Sequence, residues 1–527
     1  MMMTEMEKQL TKIIEDLSHQ NSEQSDIIKN LQEQIKQLQE SVNYLTKKMY
    51  SPSSEKSRPG QGSLFDEDSS FFKKQRLTEE QTDEEVNKPG RKRSSRPKGE
   101  QARLTKDLRV EKIYHEDDQC KCDRCQGQMK KLGEKFIRKE AVVIPPQVYI
   151  EEHIAITYDC DCHDPYLESK NIVTASVPKT PLSGSLASPS ALAWTIHNKF
   201  ELSLPLYRQA GEWAFYGLEI SDRTLGNWVN LSLHDWGTPI YDLLHHYLLK
   251  KSVLHADETV YQILRRSDGK PPTSESRMWL VRSTHGDDKP IVYYRSTLTR
   301  AQPEAELLLA GFKGYLHTDG YQVYKNLDHT DQVGCWAHVR RKFHDVGFTT
   351  GRAAQGVAHC DLMFEVERKL KGLEPNARRE QRKSLLKPLM EKFFDWLDGI
   401  GDCSGKLKTA ITYAKNQKEA LLRVLDDGKL QLSNNLAEQK IRPIAIGRKN
   451  YLFSTSEKGA MANAIAYTLI ETAKINGGIP YEYLKYLFTH LPNTDFRRNP
   501  ELLEDFLPWS DNIQAHCTKR NAMTSTA

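Results

Sequence analysis

The sequence lacks long apolar segments. None of its 527 residues belongs to a run of about 18 apolar residues, the length that a membrane-spanning helix needs. The first eight residues, Met1 to Lys8, are polar and acidic, and no apolar stretch typical of a secretory signal follows them. We therefore expect a cytosolic protein without membrane partners.

The chain also lacks a strong excess of charge of one sign, and it has few cysteines. Its 75 basic and 71 acidic side chains leave a net charge of +4, so attraction for nucleic acid must come from local patches. Five of the nine cysteines lie between Cys120 and Cys162. In a cytosolic chain such clustering favours metal binding over disulfides. The length predicts several folded units.

Residues 1–50 contain no proline or glycine and carry an apolar heptad repeat. Its first position is occupied by Ile14, Asn21, Ile28, Ile35, Val42 and Met49, and its second by Leu10, Leu17, Gln24, Leu31, Leu38 and Leu45. β-Branched residues at the first position and leucine at the second favour a parallel two-stranded coiled coil, and hence a homodimer. The alternative is an amphipathic helix that packs on its own domain.

Residues 51–105 are polar, first acidic and then basic, and we expect a disordered linker. Its basic part includes Arg91, Lys92 and Arg93 beside Pro89 and Gly90. Such an arm could lie in a DNA minor groove, although a basic stretch in a linker can also be merely solvated.

Residues 106–175 contain the clustered cysteines. Cys122 and Cys125 have the spacing of a zinc knuckle, and Cys160 with His163 supplies a second pair about 35 residues later. Cys162 is the alternative fourth ligand. This set fits a tetrahedral structural Zn²⁺ site, whereas free buried cysteines are the alternative.

Residues 185–250 have helical patterns and resemble a helix-turn-helix around Leu218 to Val229. Gly217 would form the turn, Ser221 would cap the second helix, and Leu225, Trp228 and Val229 would form its apolar face. Either DNA recognition or plain helical packing explains this pattern.

From residue 251 the chain becomes strand-rich. The predicted strands are Ser252 to His255, Met278 to Arg282, Pro290 to Tyr294, Gly314 to His317 and Gln332 to Ala337, with a helix near Pro303 to Ala310. Three consecutive strands, a helix and two further strands resemble the ribonuclease H-like fold. The predicted fold class is thus multidomain α/β, with a mixed-sheet core at 251–350 and 431–475. A helical insertion at 351–430 interrupts this core, and 476–527 forms a C-terminal helical segment.

Three acids in unusual settings point to the chemistry of this core. Asp257 and Asp319 each follow an apolar, strand-like run, and Glu438 opens a helix-like run. Clustered carboxylates repel one another unless a cation lies between them, and oxygen ligands favour Mg²⁺ (or Mn²⁺). The alternatives are turn or cap roles, including a capping box from Asn435 to Glu438. Glu258 and Asp328 are reserve ligands.

Basic residues lie near the predicted acids. Arg442 follows Glu438 by one helical turn and could orient its carboxylate, and Arg448 and Lys449 could meet phosphates. Arg340 and Arg341 are candidates for contact with the DNA backbone. Cys335, Trp336 and His338, just before them, would either pack in the core, which we expect, or touch the site.

Four motifs of this chain resemble, in order and kind, those of a DDE transposase of the insertion-sequence 66 family. The matching motifs are His255-Ala-Asp-Glu-Thr259, His317-Thr-Asp-Gly-Tyr321, Cys335-Trp-Ala-His-Val-Arg-Arg341 and Asn434-Asn-x-x-Glu438 with Arg442-Pro443. The resemblance implies that Asp257, Asp319 and Glu438 are the metal-binding triad. It also implies a bacterial, nucleoid-associated protein whose partners are the terminal repeats of its element and target DNA. Whether element-encoded helper proteins take part stays open, and the second knuckle departs from the family's usual Cys-x-x-Cys.

The expected reaction is cleavage of DNA ends followed by strand transfer, through phosphoryl transfer with two metal ions. A nuclease of the same fold that does not join DNA is one alternative. A zinc-containing DNA-binding regulator with inactive acids is another.

Overall fold

We analysed a computed structural model that describes residues 146–159, 172–325, 327–347 and 351–518, with a few isolated positions before them. The predicted linker and the predicted zinc ligands lie outside the described residues. So does most of the predicted coiled coil, although its described positions, such as Ile28, Leu31 and Ile35, are helical.

Nine strands lie in the described part of the chain: β1 (Thr157–Asp159), β2 (Ile172–Thr174), β3 (Val253–Val260), β4 (Ile263–Arg265), β5 (Arg277–Ser283), β6 (Val292–Thr297), β7 (Gly314–His317), β8 (Thr330–Val333) and β9 (Ser454–Ser456). The α-helices of the same part are α1 (Pro189–Phe200), α2 (Leu206–Phe215), α3 (Asp222–Ser232), α4 (Thr238–Leu249), α5 (Gln302–Leu308), α6 (Trp336–His344), α7 (Arg352–Lys369), α8 (Pro375–Leu385), α9 (Lys387–Asp398), α10 (Gly405–Asn416), α11 (Lys418–Leu422), α12 (Asn435–Tyr451), α13 (Glu457–Ile475), α14 (Pro480–His490) and α15 (Asp511–His516). None of these helices is long and apolar enough to cross a membrane.

A mixed five-stranded sheet forms the centre, in the order β6-β5-β3-β7-β8. The pairs β6-β5 and β5-β3 are antiparallel, whereas β3-β7 and β7-β8 are parallel. Strand β5 is buried at six of its seven positions, and its centre from Met278 to Val281 is apolar, as expected for a strand that is covered on both faces. The structure therefore confirms a mixed sheet with helices.

Helix α13 covers the edge strand β6. The backbone N–H groups of Val292 and Tyr294 donate to the hydroxyls of Thr472 and Thr468, at 3.1 and 3.0 Å. An uncovered edge strand would present unpaired backbone groups to other chains. These two threonines satisfy part of that edge and fix α13 against the sheet.

The helices before the sheet show the predicted local signals. Gly217 takes a positive φ of 92° between α2 and α3, a conformation that glycine tolerates without strain. The Ser221 hydroxyl accepts a hydrogen bond from the backbone N–H of Thr224 at 3.1 Å and caps α3. Leu225 and Val229 are buried, as their spacing predicts. The glycine and the serine thus account for the turn between α2 and α3 and for the N-terminal cap of α3.

Five helices, α7 to α11, lie between the end of the sheet and α12. Their apolar side chains form a second core with α6 and with Val253 and Val333 of the sheet; this core includes Met390, Phe393 and Leu397. The strand predicted to end at Ala337 ends earlier, at Val333, and Trp336 begins α6. Trp336 is buried in this second core and donates to the carbonyl of Leu421 at 3.1 Å, so tertiary packing decides its helical start.

Candidate active site

Asp257 and Asp319 are brought together by the parallel pairing of β3 with β7. The register pairs His255 with His317, and each aspartate comes two residues after its histidine. Asp319 follows the end of β7, as predicted. Asp257 lies inside β3, which continues to Val260. The fully buried part of this strand ends at Ala256, just before the aspartate. The two carboxylates therefore occupy the same end of the parallel pair.

The paired histidines connect these strands to the segment that precedes Glu438. Their rings stack with centroids 4.2 Å apart. Nδ1 of His255 lies 3.1 Å from the side-chain oxygen of Asn434, and Nε2 of His317 accepts the backbone N–H of Gln431 at 3.1 Å. Burial, and then the nearby charge of Arg282, lowers the pKa of His255 to about 3, so this ring is neutral at physiological pH. The repeated His-x-Asp pattern was a signal of this bridge, although the sequence analysis assigned the histidines no role.

Glu438 lies in the first turn of α12, and Asn434 fixes the start of this helix. The Asn434 side-chain amide donates to the carbonyl of Ala256, next to Asp257, at 2.8 Å. The capping-box alternative is wrong, because no side chain caps α12 and the Glu438 carboxylate binds Arg341 at 3.0 Å. Arg341, on α6, holds the carboxylate for which Arg442 had been the expected partner.

The electrostatics of Asp257 show that the three acids share one environment. Burial raises the pKa of Asp257 well above its ordinary value, and the charges of Glu258, Asp319 and Glu438 raise it further. A cation at this point would remove that repulsion and favour the ionised form. All three side chains of the predicted triad offer oxygen, which is the donor that Mg²⁺ and Mn²⁺ prefer.

A tighter cluster lies beside the acids. Among the described residues, Cys335, His338 and Glu438 are the group whose potential ligand atoms all lie within 4.8 Å of one another. The triad is therefore more widely spaced than this cluster. Nε2 of His338 lies 3.2 Å from Nη1 of Arg341, and a guanidinium can only donate. Nδ1 must then carry the ring hydrogen, so it has no lone pair for a metal ion.

Cys335 and Trp336 pack in the core as expected, whereas His338 takes the alternative and lies beside the candidate site. The Cys335 thiol is fully buried and accepts the backbone N–H of Asn434 at 3.2 Å, and Trp336 packs in the second core. His338 instead faces Glu438. The three-residue spacing of His338 and Arg341 places both on one face of a helix and was the available signal.

The reserve acids are placed elsewhere. Glu258 forms a salt bridge with Arg300 and accepts the Tyr324 hydroxyl at 2.7 Å, so its carboxylate is occupied by protein groups. Asp328 is exposed and precedes β8. Because β8 runs parallel to β7, Asp328 lies at the end of the sheet opposite to Asp319.

The two predicted arginines of α6 face different partners. Arg340 is buried and makes an ion pair with Asp361 of α7, with Nε to Oδ1 at 2.6 Å. Arg341 is about one-third exposed and contacts Glu438. Arg341 is thus the member of the pair that reaches the candidate site.

The basic residues of α12 also differ in their surroundings. Arg448 donates to the carbonyl of Val260 and ties the helix to the end of β3. Arg442 and Lys449 are exposed, and their spacing from Glu438 places them along the same side of the helix. They extend a basic surface away from the acids.

Helix α10 supports the loop of Asp319. The Tyr413 hydroxyl donates to the backbone carbonyl of Asp319 at 2.6 Å. Gly320, with a positive φ of 87°, lies against the side chain of Gln417. The helices between β8 and α12 therefore help to fix Asp319 as well as separating Glu438 from it in sequence.

The remaining predicted residues lie outside the described part of the chain. They are the zinc ligands Cys122, Cys125, Cys160 and His163 (or Cys162) and the basic residues Arg91, Lys92 and Arg93.

Four family models match this chain. Residues 184–462, more than half of its length, match the model described as the transposase IS66 family. Residues 468–509 match the IS66 C-terminal element, and residues 119–163 match the zinc-finger binding domain of transposase IS66. Residues 37–113 match a segment described as transposase C of IS166 homeodomain. The zinc-finger match covers all four predicted zinc ligands.

Three proteins of Sinorhizobium fredii are similar over most of the chain. The uncharacterized protein y4jD is 29% identical over 76% of this chain and 79% of its own length. The uncharacterized proteins y4qI and y4hP are 31% and 27% identical, over 64% and 74% of this chain and 65% and 73% of their own lengths. The extent of the main family match, together with the matches to the flanking elements, shows that the chain belongs to the IS66 family of transposases.

Proposed function

We propose that this protein cleaves DNA at the ends of its insertion sequence and transfers the freed strands into target DNA, with Asp257, Asp319 and Glu438 as the catalytic acids. The observation that carries the proposal is the geometry that brings the three acids together. The parallel pairing of β3 with β7 places Asp257 and Asp319 at one end, and Asn434 ties the start of the Glu438 helix to Ala256, next to Asp257. The raised pKa of Asp257, to which burial and the charges of the other two acids contribute, agrees with this arrangement. Three distant parts of the sequence thus meet in one acidic environment. Membership of a transposase family supports DNA as the substrate.

The strand order supports a ribonuclease H-like core as the finer description of the fold. Three consecutive antiparallel strands, β3, β5 and β6, are followed by β7 and β8, which add in parallel on the other side of β3. We propose that residues 251–350 and 431–475 form this core and that residues 351–430 are an insertion into it.

The chain's own residues would hold and orient the reacting groups. Two Mg²⁺ or Mn²⁺ ions, when bound, would lower the pKa of water and stabilise charge on the attacking and leaving oxygens. In cleavage, water attacks the phosphorus and the bond to the 3′ oxygen breaks, which leaves a 3′-hydroxyl and a 5′-phosphate. In strand transfer, that 3′-hydroxyl attacks a target phosphate, a new phosphodiester forms and a target 3′-hydroxyl leaves. Asp257, Asp319 and Glu438 would fix the geometry of both steps.

Other segments would bind DNA and assemble the complex. Exposed Arg442 and Lys449 would contact phosphates beside the acids, and so would Arg341, which is about one-third exposed and contacts Glu438. Arg340 and Arg448 contact other parts of the protein and would act by holding α6 and α12 in place. Helices α2 and α3 form the candidate helix-turn-helix.

The N-terminal segments of the chain complete the proposal. Residues 106–175 would bind a structural Zn²⁺, which the zinc-finger match supports. The basic arm with Arg91, Lys92 and Arg93 would follow the DNA backbone, and residues 1–50 would pair two chains. Element-encoded helper proteins are further candidate partners.

The test is an in vitro reaction on labelled end DNA with Mg²⁺. The substitutions Asp257→Asn, Asp319→Asn and Glu438→Gln each remove one charged ligand while keeping its shape. We expect cleavage and joining to fall at least about a hundredfold, since metal-ion stabilisation contributes several kcal/mol. Binding of end DNA should be retained, because these substitutions leave the exposed basic residues Arg442 and Lys449 unchanged.

Asp328→Asn is the matched control, because this exposed acid lies at the opposite end of the sheet. It should cleave and join like the wild type. Undiminished joining by Asp257→Asn would refute the proposal, and cleavage without any joined product in the wild type would favour a nuclease.

A further inference from the structure

Two side chains on one face of α6 surround the carboxylate of Glu438. Arg341 Nη2 donates to Oε2 at 3.0 Å, and its Nη1 points to Nε2 of His338 at 3.2 Å. The other ring nitrogen of His338, Nδ1, lies 3.4 Å from Oε1 of Glu438. Arginine, histidine and glutamate thus form a closed set of contacts.

The arginine determines which nitrogen of His338 carries the hydrogen. A guanidinium has only donors, so Nε2 must accept and Nδ1 carries the N–H. Nδ1 lies 3.4 Å from Oε1, and both atoms are buried with no hydrogen-bond partner among the described residues. A small rotation of the ring that directs this N–H at Oε1 would give Glu438 one donor for each oxygen.

These contacts restrict the rotational freedom of the glutamate side chain, which otherwise weakens it as a metal ligand. Its side chain has three rotatable bonds, and a carboxylate that is free to rotate loses entropy when it binds a cation. Donors on both oxygens fix the rotation, and each oxygen keeps lone pairs for a metal ion. Supporting hydrogen bonds of this kind raise metal affinity and activity at other sites.

We infer that His338 is a positioning residue that holds the catalytic carboxylate of Glu438, with its Nδ1–H oriented by Arg341. The inference rests on the proposed function, because it needs Glu438 to be the third acid. His338 touches neither substrate nor metal in this role. Its effect passes through the orientation of one carboxylate.

Three substitutions of His338 separate this role from simple packing. In His338→Asn the side-chain N–H takes the place of Nδ1, whereas in His338→Gln it takes the place of Nε2, and His338→Ala has no donor. We expect the asparagine variant to cleave end DNA within about threefold of the wild type. The glutamine and alanine variants should lose about ten- to a hundredfold and need more Mg²⁺ for half-maximal cleavage.

Two further measurements distinguish positioning from loss of structure. The thermal unfolding midpoint and the affinity for end DNA should stay at wild-type values in all three variants. His344→Ala is the matched control, because His344 is an exposed histidine on the same helix, and it should leave the Mg²⁺ dependence unchanged. Equal impairment of the asparagine and alanine variants would overturn the inference, as would an unchanged Mg²⁺ dependence in the alanine and glutamine variants.

Glu438→Gln in the same assay separates the two proposals. If it cleaves like the wild type, the assignment of the third acid fails, and the positioning role fails with it. If it is inactive while His338→Ala and His338→Gln behave as wild type, only the positioning role fails.

Discussion

At the scale of single residues, Asn434 is the connection on which the third acid depends. Its buried side chain bonds to the carbonyl of Ala256 and to the ring of His255, both in β3. Its backbone N–H donates to the Cys335 thiol before α6. One amide thus links the strand of the first acid to the start of the helix that carries Glu438.

We predict that Asn434→Ala lowers the free energy of unfolding by about 2 to 4 kcal/mol, because it leaves two buried groups without partners. Cleavage should fall as well, since α12 loses its anchor beside Asp257. Chemical denaturation and the end-cleavage assay measure the two effects. The neighbouring substitution Asn435→Ala is the control, because the side-chain oxygen of Asn435 has no hydrogen-bond partner in the described structure. Equal stability of both variants would contradict the anchoring role.

At the scale of elements, helices α7 and α8, which belong to the proposed insertion, are held by a buried ion pair. Arg382 of α8 is fully buried and contacts both carboxylate oxygens of Glu367 on α7, at 3.0 and 2.5 Å. It also donates to the carbonyls of Val424, Asp427 and Leu430. This arginine therefore joins α7 and α8 to the segment that returns the chain to the sheet.

The ion pair gives the insertion a predictable response to acid. Burial alone would raise the pKa of Glu367, but hydrogen bonds and charges from Arg382 and Arg378 outweigh it and lower the pKa below its ordinary value. Because the pKa of Glu367 is lower in the folded than in the unfolded state, the ion pair stabilises the folded protein at pH values above the unfolded-state pKa of about 4.3. This stabilisation is lost as the pH falls through the folded-state pKa. Unfolding of the wild type, followed from pH 7 to pH 3, should show this loss.

Glu367→Gln should remove that part of the pH dependence and destabilise the insertion by about 3 to 5 kcal/mol at pH 7, because Arg382 would remain buried without a counter-charge. Glu380→Gln is the comparison, since Glu380 is exposed on α8 and pairs only with surface residues. A variant Glu367→Gln that unfolds at the wild-type midpoint would contradict the prediction.

At the scale of the whole molecule, the N-terminal heptad repeat offers a surface for a second chain. Ile28, Leu31 and Ile35 are helical and each more than half exposed in the single chain. Exposed apolar residues at both heptad positions are typical of a coiled coil that lacks its partner strand. The dimer stays a prediction of the sequence.

We predict that the double substitution Ile28→Lys and Ile35→Lys converts a dimer into a monomer, because like charges would face each other in the interface. Light scattering at micromolar concentration would show the mass fall by half. The pair Gln32→Lys and Gln39→Lys adds the same charge outside the two apolar positions and should leave the mass unchanged. A wild type that is already monomeric would refute the pairing.

The sequence by itself determined the family and much of the local structure, and it predicted the three acids. Short-range patterns carry this information: apolar strand-like runs before two acids, a glycine turn, a serine cap. The membership of a transposase family is confirmed, and so is the mixed sheet. The catalytic roles of Asp257, Asp319 and Glu438 stay predictions.

Only the tertiary structure decided how the third acid is held. Asn434 bonds to His255, 179 positions earlier in the chain, and Arg341 reaches Glu438 across 97 positions. No local periodicity encodes such contacts, because they depend on how α6, α12 and the inserted helices pack against the sheet. For the same reason His338 was expected in the core, whereas the packing of α6 turns it toward Glu438.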